Sequence, residues 1–214
     1  MARIKVLGGT GYAGSHIVAE AVERGHEVTS YSRTTPAAPV EGATYVTGSV
    51  FDDAFLAQAV TETDVVIETL SPRGELEGKL EGVVDKLADL AQGAGIRLGV
   101  IGGAGSLLVA EGGPKLMDTE GFPSEFLPEV RTGEALLKAL QARPEQLDWF
   151  YVSPAAGFGA FAPGQATGTY RVGGDVLLTD EQGNSFISGA DLATAVVDEI
   201  EAPAHRRRRF TVAY

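Results

Sequence analysis

Apolar residues along this chain follow two rhythms. Short continuous runs alternate with longer stretches in which apolar positions recur every three to four residues, and this predicts strands and helices in turn. Ile4-Lys5-Val6-Leu7 reads as a buried strand. From Ser15 to Glu23 the pattern turns helical, with Ile17, Val18, Ala21 and Val22 on one face. Gly25 caps that helix, and His26–Tyr31 is a second strand. Ala43–Val46 is a third strand, Ala54–Val60 a short helix and Val65–Thr69 a fourth strand. Gly74–Gln92 reads as one amphipathic helix, because Leu76, Leu80, Val83, Val84, Leu87 and Leu90 share a face. Arg97–Ile101 is a fifth strand, Val130–Leu140 a helix and Asp148–Val152 a sixth strand. Tyr170–Ser188 carries two or three short strands. Ser188-Gly189-Ala190-Asp191 resembles a capping box entering a helix over Leu192–Glu201, and Phe210–Ala213 is a final strand. Strand and helix in repeated alternation imply an α/β fold with a doubly wound, mostly parallel sheet of Rossmann type, helices on both faces. The expected organisation is one domain over 1–214, with a small substrate-side region built from about 107–128 and 154–188.

Composition changes this picture at three points. There is no cysteine, which excludes disulfides and thiolate metal sites, and no histidine–carboxylate spacing suggests another metal. The net charge of −12 argues against a nucleic-acid partner. It also opposes an anionic cofactor at long range, although salt screens that field beyond about 10 Å, so local groups must hold any phosphates. No apolar run is long enough to span a bilayer, and the N-terminus runs directly into a strand. A cytoplasmic protein, monomer or dimer, is the expectation.

The chemistry starts at the end of the first strand. Gly8, Gly11 and Gly14 stand at a spacing of three between strand and helix. Such a turn brings helix N–H groups and the positive end of the helix dipole to a pyrophosphate. Gly8 allows the tight turn, Gly11 the close approach and Gly14 the packing of helix on strand, with Thr10, Tyr12 and Ala13 as nearby contacts. Where an acidic residue would bind the ribose 2′-hydroxyl of NAD, this chain has Ser32-Arg33. A hydroxyl and a guanidinium favour a 2′-phosphate, hence NADP(H) over NAD(H). Ser49 and Val50, in the loop after the third strand, are expected cofactor contacts, since a loop there can sit over an adenine ring. Thr69, Leu70 and Ser71 leave the fourth strand at its carboxyl end and are expected cofactor contacts. Glu68, within the apolar run, is expected to be partly exposed or paired, with no catalytic role. Gly102 and Gly103, in the small-residue cluster that continues to Ser106, leave space beside the nicotinamide, as do Ser153, Pro154 and Ala155 after the sixth strand. Ser106 is the candidate catalytic hydroxyl, able to donate to a bound substrate; a turn or cap serine is the other reading. Leu108, Leu116, Met117, Phe122, Phe126 and Leu127, in the irregular stretch 107–128, either form an apolar lid or pack on the core. Arg206–Arg209 reads as a solvated strand entry that protects a sheet edge, and His16 and His205 as structural or surface residues.

GGTGYAG at 8–14, Ser32-Arg33, IGGAGS at 101–106, SPAAGF at 153–158 and RRRFTVAY at 207–214 together resemble the atypical short-chain dehydrogenase/reductase group. Within it the chain is similar to small proteins described as NADH-flavin reductases or as NAD(P)H-binding epimerase-like proteins. The resemblance implies about seven strands in the order 3-2-1-4-5-6-7. Its flavin- and biliverdin-reducing members imply hydride delivery to a flat aromatic acceptor, so that a flavin is a possible substrate. One departure matters. The mainstream of the group protonates alcohols with a Tyr-x-x-x-Lys pair, and no tyrosine here has lysine four residues on. That disfavours alcohol dehydrogenase and sugar-nucleotide epimerase or dehydratase chemistry, and it agrees equally with a reductase of planar acceptors or a non-catalytic NADP(H)-binding sensor.

Overall fold

A computed structural model describes all residues, 1–214. One eight-stranded sheet runs through it, in the order β3-β2-β1-β4-β5-β6-β8-β7. The strands are β1 (Arg3–Leu7), β2 (Glu27–Ser32), β3 (Ala43–Thr47), β4 (Val65–Glu68), β5 (Arg97–Ile101), β6 (Trp149–Pro154), β7 (Arg171–Gly173) and β8 (Arg208–Ala213). All pairings are parallel except β7 with β8. The order agrees with the expected one, with the expected last strand lying beside β6. The extra strand is β7, three residues long. It is what survives of the two or three strands anticipated in 170–188, where the rest of the backbone makes only isolated bridges such as Gly157 with Phe186.

Five helices cover the faces: α1 (Tyr12–Glu23), α2 (Asp53–Ala59), α3 (Leu80–Ala94), α4 (Leu127–Gln141) and α5 (Gly189–Glu201). Alternation along each strand divides the core in two. Ile4, Val6, Ile67, Phe150 and Val152 pack under α1 and α5 with Ile17, Val18, Leu192 and Val196. Leu7, Val66, Val100 and Tyr151 pack on the other face with Leu80, Val84, Leu87, Leu136 and Leu140 of α3 and α4.

Three expectations need correction. The amphipathic stretch from Gly74 is not one helix. A single turn at Gly74–Leu76 is followed by Gly78 at φ +66°, and α3 begins only at Leu80. Glycine in the left-handed region breaks the helical hydrogen-bond ladder although the apolar period runs across it. Arg206–Arg209 precedes the Thr211–Ala213 stretch of β8 that β7 pairs with, and the run is not merely solvated: Arg206 pairs with Asp148, Arg207 donates to the carbonyls of Arg143, Pro144 and Leu147, and the Arg209 side chain is buried against Asp175 and Ser106. Glu68 is neither exposed nor paired; it is 1% exposed, because β4 is a central strand with a helix layer over it.

Ser188 caps α5 as expected, its hydroxyl accepting from the Asp191 N–H at 3.1 Å. The Asp191 carboxylate does more than close the cap. It accepts from the N–H groups of Thr167 (2.8 Å) and Gly168 (3.0 Å) and from the Tyr214 hydroxyl. The loop after β6 and the last residue of the chain are thereby tied to one helix end.

Candidate functional site

Parallel strands deliver their carboxyl ends, and the loops that follow, to one edge of the sheet. Ligands in open α/β sheets bind there, at the point where strand order reverses, which here lies between β1 and β4. Backbone bonds carry the chain out of the sheet at this end: Gly8 N–H donates to Tyr31 O (2.8 Å), Thr69 N–H to Leu7 O (3.0 Å) and Gly102 N–H to Val152 O (2.9 Å). Gly8, Ser32 with Arg33, Ser49 with Val50, Thr69–Ser71, Gly102 with Gly103, and Ser153–Ala155 thus all lie at the same sheet end.

The glycine turn has the properties a pyrophosphate needs. Gly8 sits at φ +81°, and a Cβ there would lie 2.8 Å from Thr69 Oγ1. A Cβ on Gly14 would overlap the Gly8 carbonyl. Gly11 is the N-cap of α1 and has no side chain to close it. The N–H groups of Tyr12, Ala13 and Gly14 donate to no backbone carbonyl, and no acidic residue stands in the first turn. An anion at this end would complete the unsatisfied donors and meet the positive dipole end, so the residues fit a nucleotide pyrophosphate.

Around the turn, each expected residue has a definite environment. Ser32 is buried beside Ser30, their hydroxyls 3.4 Å apart. Arg33 is exposed and its guanidinium meets Glu75 Oε2 at 3.4 Å. A pair so exposed is worth at most about 1 kcal/mol, so a phosphate can displace Glu75. The side-chain oxygen of Ser49 accepts from Phe51 N–H at 3.3 Å. Thr69 Oγ1 donates to Leu7 O at 2.8 Å, and Ser71 is exposed. Tyr12 uses its hydroxyl to donate to Pro163 O (3.2 Å) and to accept from Gly189 N–H (3.1 Å), which holds the 157–163 segment and α5 against α1. Gly103 faces open space, while the missing side chain of Gly102 is replaced from below by the Tyr151 hydroxyl. Ser153 Oγ is buried without a hydrogen-bond partner.

Ser106 is buried, and Arg209 Nη1 donates to its Oγ at 2.8 Å. That bond uses the oxygen as acceptor and leaves the serine proton free to be donated. The 107–128 stretch answers both readings in part: Met117 is buried in the core and Phe126 stands exposed. Phe161 is 75% exposed in the segment that Tyr12 holds, and Phe158 lies on the Tyr12 ring with centroids 5.3 Å apart.

Sequence reasoning missed the Glu68–Tyr151 layer beneath this end. Burial pushes the Glu68 carboxyl up to about 8, against a Leu70 N–H bond that favours the anion. Burial, with Glu68 nearby, also raises the Tyr151 phenol, whose hydroxyl donates to Gly133 O at 3.0 Å. The one available signal was a glutamate in an otherwise apolar strand. His16, expected to be a structural or surface residue, is half-buried without a hydrogen-bond partner, and burial lowers its pKa. His205 pairs with Glu199 at the opposite end of the sheet, Nδ1 to Oε2 2.7 Å.

The model of a family described as NAD(P)H-binding matches residues 8–203. The uncharacterized protein YwnB of Bacillus subtilis is 36% identical over 98% of this chain and 97% of its own length. A candidate epimerase from Bacteroides thetaiotaomicron is 34% identical, with a TM-score of 0.88 over 100% of this chain and 98% of that one. A candidate NADH-flavin reductase from Streptococcus pneumoniae is 32% identical, with a TM-score of 0.84 over 100% of this chain and 99% of that one. No helix is long and apolar enough to cross a membrane.

Proposed function

This chain belongs to the NAD(P)H-binding family, and from that premise we propose that it is an NADPH-dependent reductase of a flavin or similar planar acceptor. The observation that carries the reading is the open α1 N-terminus, facing the same sheet end as Arg33 and Gly103. Gly8–Gly14 would hold the pyrophosphate, Ser32 and Arg33 the 2′-phosphate, and Ser49 and Val50 the adenine side. Thr69–Ser71, Gly102, Gly103 and Ser153–Ala155 would frame the nicotinamide. When bound, the reduced nicotinamide supplies a hydride. The chain's own contribution is positional: rigid strand ends fix one face of the cleft, and proximity supplies most of the rate. The substrate-side region, about 107–128 and 154–188, brings Phe126 and Phe161 to the surface, and exposed rings suit a flat aromatic ligand. Ser106, accepting from Arg209, is the hydroxyl that would donate to the acceptor. A planar acceptor delocalises its reduced charge and takes its proton from water, which is why the missing Tyr-x-x-x-Lys pair does not count against this reading. A cytoplasmic location belongs to the same proposal, since reduced nicotinamide nucleotides are supplied there.

The test is loss of nicotinamide absorbance with NADPH and NADH in parallel, against FMN, FAD and a quinone, beside an enzyme-free control. Saturable NADPH oxidation is the expected result. Tight NADPH binding without turnover on any acceptor would replace the reductase by a non-catalytic sensor. Arg33→Asp should weaken NADPH binding by about 10- to 150-fold and spare NADH, as expected for one charge-assisted bond to phosphate. Unchanged affinities would remove the 2′-phosphate assignment.

A further inference from the structure

Glu68 closes β4 at the central position of the sheet, one residue before the Thr69–Ser71 loop. Strand alternation turns its side chain away from α1, into the layer under α3 and α4. Glu68 Oε1 accepts from the Leu70 N–H at 2.6 Å, and Oε2, fully buried, has no partner. The carboxyl thus reaches forward to grip the backbone of the loop that follows its own strand. A fully buried glutamate is costly in an apolar layer, where a leucine would pack at no such cost. The bond to Leu70 is what this residue does that a leucine would not.

We propose that Glu68 is the positioning residue of the cofactor cleft, holding the Thr69–Ser71 backbone in the form that receives the nucleotide. The inference rests on the reading of this sheet end as an NADP(H) site. Its surroundings make the device sensitive to pH. On its neighbouring strands Glu68 lies beside Leu7 and Val100, on the sheet face whose core layer is the apolar cluster of α3 and α4. Tyr151 from β6 is the titratable group facing it, and Arg209 from β8 acts on Tyr151 from behind. With its carboxyl pushed up to about 8 by burial, Glu68 is the neutral acid at pH 7. A bound nucleotide covers the loop and brings phosphate charge to this sheet end, and both oppose ionisation further. The nucleotide therefore binds the protonated form better, and by linkage its affinity must fall as pH rises through the Glu68 pKa.

NADPH binding to the full-length chain, followed by nucleotide fluorescence and calorimetry at pH 6, 7, 8 and 9, tests this. The dissociation constant of the wild type should rise about tenfold from pH 7 to pH 9, as one carboxyl kept protonated in the complex requires. Glu68→Gln keeps an acceptor for Leu70 and cannot ionise; it should bind as the wild type does at pH 7 and show no rise by pH 9. Glu68→Leu removes the acceptor; it should bind at least tenfold more weakly at pH 7, with faster hydrogen exchange at Leu70 in the free protein. Wild-type affinity in Glu68→Leu, or coincident pH profiles for the wild type and Glu68→Gln, would overturn the inference. Absence of NADPH and NADH binding by the wild type, with Leu70 exchange still dependent on Glu68, would overturn the site reading instead.

Discussion

At the scale of single residues, space decides more than propensity. Exchanging glycine for alanine inside a helix ordinarily stabilises by about 1 kcal/mol. Gly82 in α3 has open space where a Cβ would go, so Gly82→Ala should follow that rule. Gly14 in α1 should not, because its Cβ would overlap the Gly8 carbonyl and Gly9 Cα. Gly14→Ala is expected to destabilise by about 1–3 kcal/mol in urea denaturation and to abolish nucleotide binding. The pair of variants separates helix propensity from turn geometry. The Gly8–Gly14 turn was legible because a short motif between a strand and a helix has few other uses. Glu68 was misread because a polar residue near a strand end is usually wet, and only the helices above it decide that this one is dry.

At the scale of elements, the start of α5 works as a clasp. Ser188 closes the helix, while Asp191 gathers Thr167, Gly168, Ser188 and Tyr214. Burial opposes ionisation of Asp191, but hydrogen bonds from Tyr214, Thr167, Ser188 and Gly168 outweigh it and hold the carboxyl below its usual range. A carboxyl depressed in the folded state stabilises the protein above its unfolded pKa, about 3.9, and loses that contribution as pH falls through the folded value. Asp191→Asn should therefore cost about 1.5–3 kcal/mol at neutral pH and flatten the loss of stability below about pH 4. Thermal unfolding from pH 2 to 7 measures both; parallel curves for the two proteins would contradict it. The cap was readable from Ser188 and Asp191 alone. Its reach to Thr167 and Tyr214 was not, since nothing local relates residues more than twenty apart.

Across the whole molecule, the candidate site and the buried Arg97–Glu199 pair occupy opposite ends of the sheet. The loops at the carboxyl ends carry unsatisfied N–H groups and exposed rings. At the other end Arg97, at the start of β5, donates to Glu199 of α5 at 2.5 Å and stacks on Phe150, while His205 and the Ala204 N–H complete Glu199. Removing one partner of such a buried pair typically costs about 3–5 kcal/mol, a large part of the about 5–15 kcal/mol that holds a domain together. Glu199→Gln is expected to lower the urea midpoint by a corresponding amount and to leave NADPH affinity of the folded protein unchanged. Loss of affinity in the folded protein would mean that the two ends are coupled.

The sequence by itself determined the alternation of strands and helices and the glycine turn, because apolar periodicity and steric demands of glycine act over a few residues; the strand order came only from the family resemblance. It also determined that Ser32-Arg33 stands at the carboxyl end of β2 in place of an acid. The tertiary structure alone decided that the Arg209 side chain is buried on Ser106 and that Glu68 lies dry within the sheet. Those outcomes depend on which distant elements cover a side chain, and burial, unlike periodicity, is a property of the packed fold.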